Sequence, residues 1–305
     1  MIMPPLLRVG NTIGITAPGR KISKADMDVA IKTFQSWGLQ VKLADNLFSN
    51  DHSYLAGTDA QRLDDLQALI NDIHVHAIIC ARGGYGSTRI VDEIDFSPLQ
   101  KAPKYIIGFS DITAIHLKLY SMGIQSIHAT MPILFSKDAS RPSIESLKRM
   151  LMEMPDRIQS PASRYSIDGS GRGEVIGGNL SLINDSLGTS SEPDTAGKIL
   201  VIEEIDEYRY KIDRMLTQLK RAGKLQQLAG LIIGHMTDIK DSELSFGETV
   251  EEIILHHTQP YNYPVAFSFP TGHENPNLAW LHGGVAELNV NNGQGILSFT
   301  NNHTV

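Results

Sequence analysis

The chain is poor in cysteine and has no excess of positive charge. Its 305 residues include one cysteine, Cys80, which excludes an internal disulfide framework and a zinc site built from several cysteines. Cys80 lies in the apolar run 77–81, which favours a buried small side chain over a reactive thiol. The formal net charge of −7 argues against a nucleic-acid partner, since such a partner needs a basic protein face.

Long apolar runs are also missing. No segment approaches the ~20 apolar residues that span a bilayer, and residues 1–5 carry no basic region followed by an apolar stretch. We therefore expect a soluble protein of the cytoplasm. Hydrophobic residues make up 41% of the chain and charged residues 20%, which is ordinary for a globular protein. The length suits two domains or one large domain.

The first half of the chain alternates short apolar runs with helical patterns. These patterns predict strands at 12–17, 39–44, 76–81, 105–109 and 125–129, and helices at 24–38, 58–72, 88–94, 112–123 and 143–153. The alternation predicts an α/β domain with a mostly parallel sheet. Ligands bind beyond the carboxyl ends of such strands, so the turns after Ala17, Ala81 and Phe109 are the places to expect a site.

The composition changes around residues 154–173, where prolines, serines and glycines cluster. We interpret this as a boundary, with an N-terminal α/β domain at 1–155, a linker at 156–172 and a mixed, β-rich C-terminal domain at 173–305. Two apolar runs at the end of the chain flank an Asn-Asn-Gly turn, which predicts a terminal β-hairpin.

Ser110 is the first candidate for chemistry. An apolar run stops at Gly108, and Ser110 lies where the chain must turn into the amphipathic segment 112–120. A serine at a strand-to-helix turn exposes its hydroxyl, and the backbone N–H groups that follow can hold an oxyanion. The hydrolase pattern G-x-S-x-G is not met, because Thr113 follows Ile112. The alternative is that Ser110 and the next residue, an aspartate, only cap the helix.

The glycine-rich segment 81–87 comes at the end of another predicted strand. Its three glycines let the backbone approach a ligand and turn its amides inward. Neither common nucleotide-binding glycine pattern is present. Arg82 beside the loop favours recognition of an anion or carboxylate, whereas the simpler interpretation is a tight turn feeding a helix.

Four acidic residues lie at 203–207, at the end of a predicted strand. They fit a solvated turn, a carboxylate that orients a histidine, or a divalent-metal site. The segment lacks the spacing of a calcium loop and has no histidine nearby. Glu203 comes first after the apolar run, and strand alternation sends Glu204 to the opposite face, so we choose Glu203 while the two remain ambiguous.

His273 is the candidate general base, because it follows an apolar run and a proline–glycine turn. His235 lies in a similar position and is its main competitor, followed by His128. The order Ser110, Glu203, His273 matches one of the orders that catalytic triads take. Such a triad would be shared between the two predicted domains, and we expect a cleft where they meet.

These segments together resemble the LD-carboxypeptidases, serine peptidases that include the muramoyltetrapeptide carboxypeptidases of bacteria. The resemblance extends over nearly the whole chain and is carried by residues 14–19, 81–87, 108–113, 177–180, 202–206, 209–216 and 272–273. It implies that Ser110 is the nucleophile, His273 the base and Glu203 the acid that orients it.

The resemblance also implies an oxyanion hole from the backbone amides of Asp111 and of a glycine in the 83–84 loop, which we take as Gly84. We assign substrate contacts to Arg82 and Gly83, with Arg82 pairing the terminal carboxylate. The implied fold is an amidotransferase-like N-terminal domain with a smaller β-rich C-terminal domain, usually in homodimers. The implied reaction removes terminal D-alanine from murein tetrapeptides during peptidoglycan recycling, without a metal or cofactor.

Two other functions stay open on the sequence. Relatives of the family cleave peptidyl-nucleotide antibiotics, and an aromatic-bearing insertion would favour that activity, but no long insertion is visible between Thr189 and Lys198. A non-catalytic protein that senses muropeptides is the second. The segment 280–282 departs from the apolar pattern we expect after His273, which leaves substrate contacts there open.

Overall fold

The computed structural model describes residues 1–154 and 157–300, which form two compact units. Unit 1 holds residues 1–154 and 276–282, and unit 2 holds the described residues of 157–275 and 283–300. The strands are β1 (Thr12–Thr16), β2 (Gln40–Leu43), β3 (Ala77–Cys80), β4 (Tyr105–Gly108), β5 (Ser126–His128), β6 (Arg157–Ala162), β7 (Gly169–Asn179), β8 (Ile199–Ile205), β9 (Gly230–Thr237), β10 (Val265–Ala266), β11 (Trp280–His282), β12 (Val285–Asn291) and β13 (Gln294–Phe299). The α-helices are α1 (Lys24–Ser36), α2 (Asp59–Asn71), α3 (Pro98–Lys101), α4 (Thr113–Ser121), α5 (Arg141–Met152), α6 (Leu180–Asp185), α7 (Arg209–Arg221) and α8 (Val250–Thr258).

Unit 1 is built on a six-stranded sheet in the order β11-β5-β4-β3-β1-β2. The five strands from β1 to β5 pair in parallel, and β11 adds to the edge in the antiparallel direction. Every residue of β3 and β4 is buried, as expected of parallel strands covered on both faces. The predicted α/β class with a mostly parallel sheet is confirmed.

Two helices of unit 1 begin at capping boxes, which explains why they start where they do. Ser23 and Asp26 exchange side-chain and backbone hydrogen bonds at the start of α1, and Thr58 and Gln61 do the same for α2. Each cap contributes about 1 kcal/mol to stability. The predicted helix at 88–94 is shorter in the structure, a single 3₁₀ turn over Ser87–Arg89.

The segment 276–282 returns to unit 1, which differs from the prediction that all of 173–305 forms the C-terminal domain. The backbone N–H groups of Asn277 and Ala279 donate to the hydroxyls of Ser143 and Ser146 on α5, at 2.8 and 2.9 Å. The strand β11 then pairs with β5. The edge of β5 and the two serines provide hydrogen-bond partners that stabilise this return. No local sequence pattern predicts it.

Unit 2 is built on a seven-stranded mixed sheet in the order β10-β9-β8-β7-β12-β13-β6. The strands β7 to β10 are parallel, whereas β12, β13 and β6 pair antiparallel. The long strand β7 joins the two parts, since residues 169–174 pair with β12 and residues 175–179 pair with β8. The predicted mixed second domain is confirmed, and β12 with β13 forms the predicted terminal hairpin.

The predicted linker at 156–172 is wrong for its described residues, because residues 157–162 form β6 and β7 begins at Gly169. Gly171 in this segment and Gly173 just beyond it serve close packing rather than flexibility. A Cβ atom on Gly171 would collide with the carbonyl oxygen of Ala229, and one on Gly173 with that of Gly197.

Within residues 1–154 and 157–300, the longest helices have 13 residues, and none is long and apolar enough to cross a membrane.

Candidate active site

Ser110 has a backbone conformation that L-residues rarely adopt. Its φ angle of 63° lies in the left-handed region, and Ser110 is the second residue after the end of β4. Ser110 is the first residue of a 3₁₀ turn, Ser110–Ile112, which leads into α4, and Phe109 occupies the N-cap position. Buried residues on both sides hold this strained turn in place. Ser110 is therefore a positioned serine at a strand-to-helix elbow rather than the helix cap of the alternative interpretation.

The carboxylate of Asp111 is buried and faces the neighbouring loop. Its Oδ2 atom accepts hydrogen bonds from the backbone N–H of Ser87 at 2.9 Å and from the Ser87 hydroxyl at 2.7 Å. Burial raises the pKa of Asp111, and the bonds from Ser87 oppose that shift without cancelling it. The side chain of Asp111 thus ties the end of the glycine-rich loop to the residue that follows Ser110.

The glycine-rich loop passes against Ser110. A Cβ atom on Gly83 would lie 3.0 Å from the Cβ and 3.2 Å from the Oγ of Ser110, which is closer than real side chains normally approach. Gly84 has a φ of 110°, and a Cβ atom there would lie 2.8 Å from the Cβ of Arg20. A side chain in place of Gly83 would therefore require Ser110 to shift by a few tenths of an ångström.

Arg82 lies at the start of this loop and is half-buried. Its Nη1 donates to the carbonyl oxygen of Lys21 at 3.0 Å, while its Nε is buried without a hydrogen-bond partner in the described part of the chain. Burial lowers the pKa of Arg82, and the nearby charge of Arg20 lowers it further. A half-buried cation beside a second cation is a place where an anion is favoured.

In unit 2, the structure brings His273 and Glu203 together. His273 Nδ1 lies 2.6 Å from Glu203 Oε2, and the carboxylate is fully buried. Burial lowers the pKa of His273, but the charge and hydrogen bond of Glu203 outweigh it, so the net shift is upward. With Nδ1–H donating to the carboxylate, Nε2 is the nitrogen left to act as a base.

Glu203 lies at a local irregularity of the sheet. The pairing of β8 with β9 shifts between Ile202 and Glu204, as at a β-bulge. A Cβ atom on Gly234 would lie 3.1 Å from the Glu203 Cβ, and one on Gly272 would lie 3.0 Å from it. Gly272 also has a φ of 118°. The two glycines therefore give the chain before His273 room to approach the carboxylate.

Glu204 has different partners. Its carboxylate accepts hydrogen bonds from the side-chain amide of Asn179 at 2.8 Å and from the backbone N–H and hydroxyl of Ser181 at 2.8 and 2.6 Å. Burial raises the pKa of Glu204, with the hydrogen bonds opposing it. Glu204 thus anchors the start of α6, while Glu203 contacts His273.

The two competing histidines, His235 and His128, make contacts typical of residues that stabilise the fold. His235 Nδ1 accepts a hydrogen bond from the backbone N–H of Glu274 at 3.1 Å, and burial lowers the pKa of His235. His128 is fully buried in unit 1, with its ring stacked on Trp280 at a centroid distance of 4.8 Å. Trp280 belongs to the segment that the sequence left open, and it packs in the core of unit 1.

The remaining acids of the 203–207 run form ion pairs. Asp206 pairs with Lys240, and Glu207 lies 2.9 Å from Lys211. In residues 1–154 and 157–300, no three His, Cys, Asp or Glu side chains are grouped so that they could hold a metal ion.

The sequence assigned no individual role to two residues that shape the site. Ser87, which donates to the Asp111 carboxylate, belongs to the glycine-rich segment 81–87, and Gly234 faces Glu203. The only signal for Gly234 was its place between an apolar run and a histidine at a strand end.

Comparisons with known proteins cover both units. The LD-carboxypeptidase N-terminal domain family matches residues 13–129, and the LD-carboxypeptidase C-terminal domain family matches residues 172–288. A probable murein peptide carboxypeptidase of Bacillus subtilis strain 168 is 37% identical over 299 residues, covering 94% of this chain and 91% of that protein.

Solved structures agree with this assignment. The crystal structure of a muramoyltetrapeptide carboxypeptidase from Oxalobacter formigenes has a TM-score of 0.88 at 27% identity, covering 96% of this chain and all of that one. The microcin C7 self-immunity protein MccF, in complex with aspartyl sulfamoyl adenosine, has a TM-score of 0.86 at 20% identity over 98% of both chains, and shares the fold. The chain belongs to the LD-carboxypeptidase family.

Proposed function

We propose that this chain is a serine carboxypeptidase that hydrolyses the L,D-amide bond before the terminal D-alanine of murein tetrapeptides. Membership of the LD-carboxypeptidase family supports the reaction, and relatives named for murein peptides and muramoyltetrapeptides support the substrate. The observation that carries the catalytic assignment is the 2.6 Å contact between His273 Nδ1 and the buried Glu203 carboxylate. Such a pair prepares a histidine to act as a base.

In the proposed mechanism, His273 Nε2 removes the proton from Ser110 Oγ, which attacks the carbonyl carbon before the terminal D-alanine. Glu203 holds the imidazole in the required tautomer and stabilises the imidazolium that forms. The backbone N–H groups of Asp111 and Gly84 hold the oxyanion of the tetrahedral intermediate.

The second half of the cycle releases the two products. His273 protonates the leaving amine, and D-alanine departs with its carboxylate paired to Arg82 and its backbone lying along Gly83. Water, activated by the same histidine, then hydrolyses the ester on Ser110 and frees the tripeptide. The scheme requires no metal or cofactor.

Mass spectrometry of L-Ala-D-Glu-diaminopimelate-D-Ala after incubation with the chain tests the proposal. We expect the tetrapeptide to lose one terminal alanine. A parallel incubation with a peptidyl-nucleotide antibiotic tests the alternative activity. Residues 186–198 contain no aromatic side chain that could stack on a nucleobase, so we expect the tetrapeptide to be the better substrate. Faster cleavage of the nucleotide conjugate would reverse that choice.

A fluorophosphonate probe separates an enzyme from a non-catalytic muropeptide-binding protein. We expect covalent labelling of Ser110, located by peptide mapping, because His273 would activate the serine toward the probe. A chain that binds muropeptides, fails to take the probe and releases no alanine would be a binding protein.

A cytoplasmic location and a homodimeric state belong to the same proposal, and the family resemblance supports the homodimer. Light scattering on the purified chain tests the oligomer, with an expected mass of twice 33.6 kDa. Cell fractionation tests the location, and recovery outside the cytoplasmic fraction would contradict it.

A further inference from the structure

A cavity of about 510 Å³ in unit 1 adjoins the glycine-rich loop. Its wall includes the cationic side chains of Arg20, Lys21, Lys24 and Arg82 and the aromatic ring of Tyr54. We call it the Arg20 cavity. Its size falls in the range of cavities that hold small ligands, about 300–1,000 Å³.

The charge of the Arg20 cavity is opposite to that of the chain. The formal net charge of the whole protein is −7, yet four cations line this cavity. Among the described lining residues, Asp26 supplies the one carboxylate, and it accepts hydrogen bonds from the backbone N–H of Ser23 at 3.1 Å and the Ser23 hydroxyl at 2.7 Å. Because that carboxylate already caps α1, the cavity has an excess of positive charge that attracts anions.

Two arginines of the cavity each make a contact that orients the guanidinium group. The guanidinium of Arg20 lies over the ring of Tyr54, 5.1 Å from its centroid, and the backbone N–H of Lys21 donates to the Tyr54 carbonyl oxygen at 3.0 Å. Arg82 Nη1 is bonded to the Lys21 carbonyl oxygen. Planar guanidinium groups suit the two oxygens of a carboxylate.

The Arg20 cavity adjoins the same loop as the nucleophile. Gly83 packs against Ser110, and the next residue, Gly84, packs against Arg20. A peptide whose carbonyl carbon reaches Ser110 can therefore place a neighbouring group in the cavity. The terminal carboxylate that we assign to Arg82 carries one negative charge, so Arg20, Lys21 and Lys24 remain without an anionic partner from the substrate.

We propose that the Arg20 cavity binds a second free carboxylate of the peptide substrate, on a residue other than the departing D-amino acid. This inference rests on the proposed function and deepens it: the preferred substrate is a peptide that carries at least two carboxylates. In a murein tetrapeptide, the second carboxylate comes from the glutamate or from the side chain of the diaminopimelate.

Three tetrapeptides distinguish these sources. The first has both internal carboxylates free, the second has the glutamate carboxylate as a primary amide, and the third has the diaminopimelate side-chain carboxylate as a primary amide. Each is assayed with the wild-type chain, with Arg20→Gln and with Lys32→Gln. Lys32 is an exposed cation on α1 outside the cavity and serves as the matched control.

For the wild type, we expect amidation of the bound carboxylate to raise KM about ten-fold, the typical effect of losing a charge-assisted hydrogen bond. Arg20→Gln should raise KM about ten-fold for the fully anionic peptide, with little change in kcat. It should leave KM unchanged for the peptide whose bound carboxylate is already amidated. Lys32→Gln should behave as the wild type with all three peptides.

Calorimetric titration of the Ser110→Ala variant with the same peptides gives the affinity without turnover, and it should show the same order. If Arg20→Gln changes KM equally for all three peptides, or does not change it, the second-carboxylate site is wrong. Cleavage of the tetrapeptide by the wild type would still support the proposed function in that case. Absence of both cleavage by the wild type and binding to Ser110→Ala would overturn the proposed function and this inference together.

Discussion

At the scale of single residues, the candidate site depends on glycines that leave room for a reactive side chain. Gly83 lies against Ser110, and Gly272 and Gly234 lie against Glu203. A methyl group at any of these positions would contact the neighbouring side chain at 3.1 Å or less. The absence of side chains at these glycines therefore leaves the space that Ser110 and Glu203 occupy.

Gly83→Ala should reduce kcat/KM about 100-fold or more, because the added Cβ must displace Ser110 and misplace its hydroxyl. The φ angle of Gly83 is not in the left-handed region, so the protein should still fold, as circular dichroism and a thermal melt would show. Gly123→Ala is the control, since a Cβ there meets nothing within 4 Å and only its φ of 76° is strained. An active Gly83→Ala variant would contradict the packing described here.

Glu203→Gln should move the acid limb of the pH–rate profile to lower pH. The base must be neutral to accept a proton, so kcat/KM rises as pH passes the pKa of His273, which Glu203 holds above the ordinary value of 6.5. Removing the carboxylate charge removes that support and lowers this pKa. The plateau should also fall, by up to about 10⁴-fold, because the tautomer is no longer fixed.

Glu204→Gln is the matched control for this experiment, as Glu204 is also buried at the end of β8 but bonds Asn179 and Ser181. Its acid limb should move to lower pH by less than that of Glu203→Gln, because the charge of Glu204 raises the pKa of His273 more weakly than Glu203 does. The protein should also lose stability. An acid limb that moved with Glu204→Gln and not with Glu203→Gln would reverse the assignment of the two glutamates.

At the scale of elements, two turns at the carboxyl edge of the first sheet act together. The loop after β3 and the turn after β4 are joined by the hydrogen bonds from Ser87 to the buried carboxylate of Asp111. This connection keeps the glycine-rich loop beside Ser110. Its loss should therefore affect both stability and catalysis.

Asp111→Ala should lower the free energy of unfolding by about 2–3 kcal/mol, since it leaves the buried donors of Ser87 without their acceptor. Urea denaturation measures the loss, and kcat/KM should fall in the folded variant. Asp92→Ala removes a carboxylate whose side chain is 60% exposed and which pairs with Lys118, so its cost should stay within about 1 kcal/mol. Equal losses for the two variants would show that the Ser87 connection contributes little.

Alternating patterns were enough to predict most elements of unit 1. The buried strands β3 and β4 and the capped helices α1 and α2 have strong local signals, which are apolar runs and capping residues. The positive φ of Ser110 has no such signal, because serine is not a residue that the left-handed region favours. Strain of this kind is imposed by the surrounding tertiary structure.

At the scale of the whole molecule, the sequence predicted two domains and their fold classes. It did not predict which segments of the chain belong to each domain. Glycines and prolines near 156–172 have the composition of a linker, yet β6 and β7 use this segment to build the second sheet. The return of 276–282 to unit 1 depends on partners on β5 and α5 that are more than 130 residues away in the chain. Contacts between residues so far apart in the chain produce no periodic pattern in the local sequence.

The candidate triad was also predicted only in part from the sequence. Ser110, Glu203 and His273 each lie in a turn or strand end that the sequence marked, and the choice of Glu203 over Glu204 followed from strand alternation. The hydrogen bond from His273 to Glu203 needed the structure, because it spans 70 residues and depends on a bulge and two glycines.

The central claim is that Ser110 attacks the peptide, and release of D-alanine from the murein tetrapeptide by Ser110→Ala tests it most directly. Ser121→Ala, an exposed serine at the end of the following helix, is the matched control. We predict that Ser110→Ala releases D-alanine at least about 10⁴-fold more slowly than the wild type while it stays folded, and that Ser121→Ala matches the wild type. Turnover by Ser110→Ala at the wild-type rate would contradict the assignment of the nucleophile.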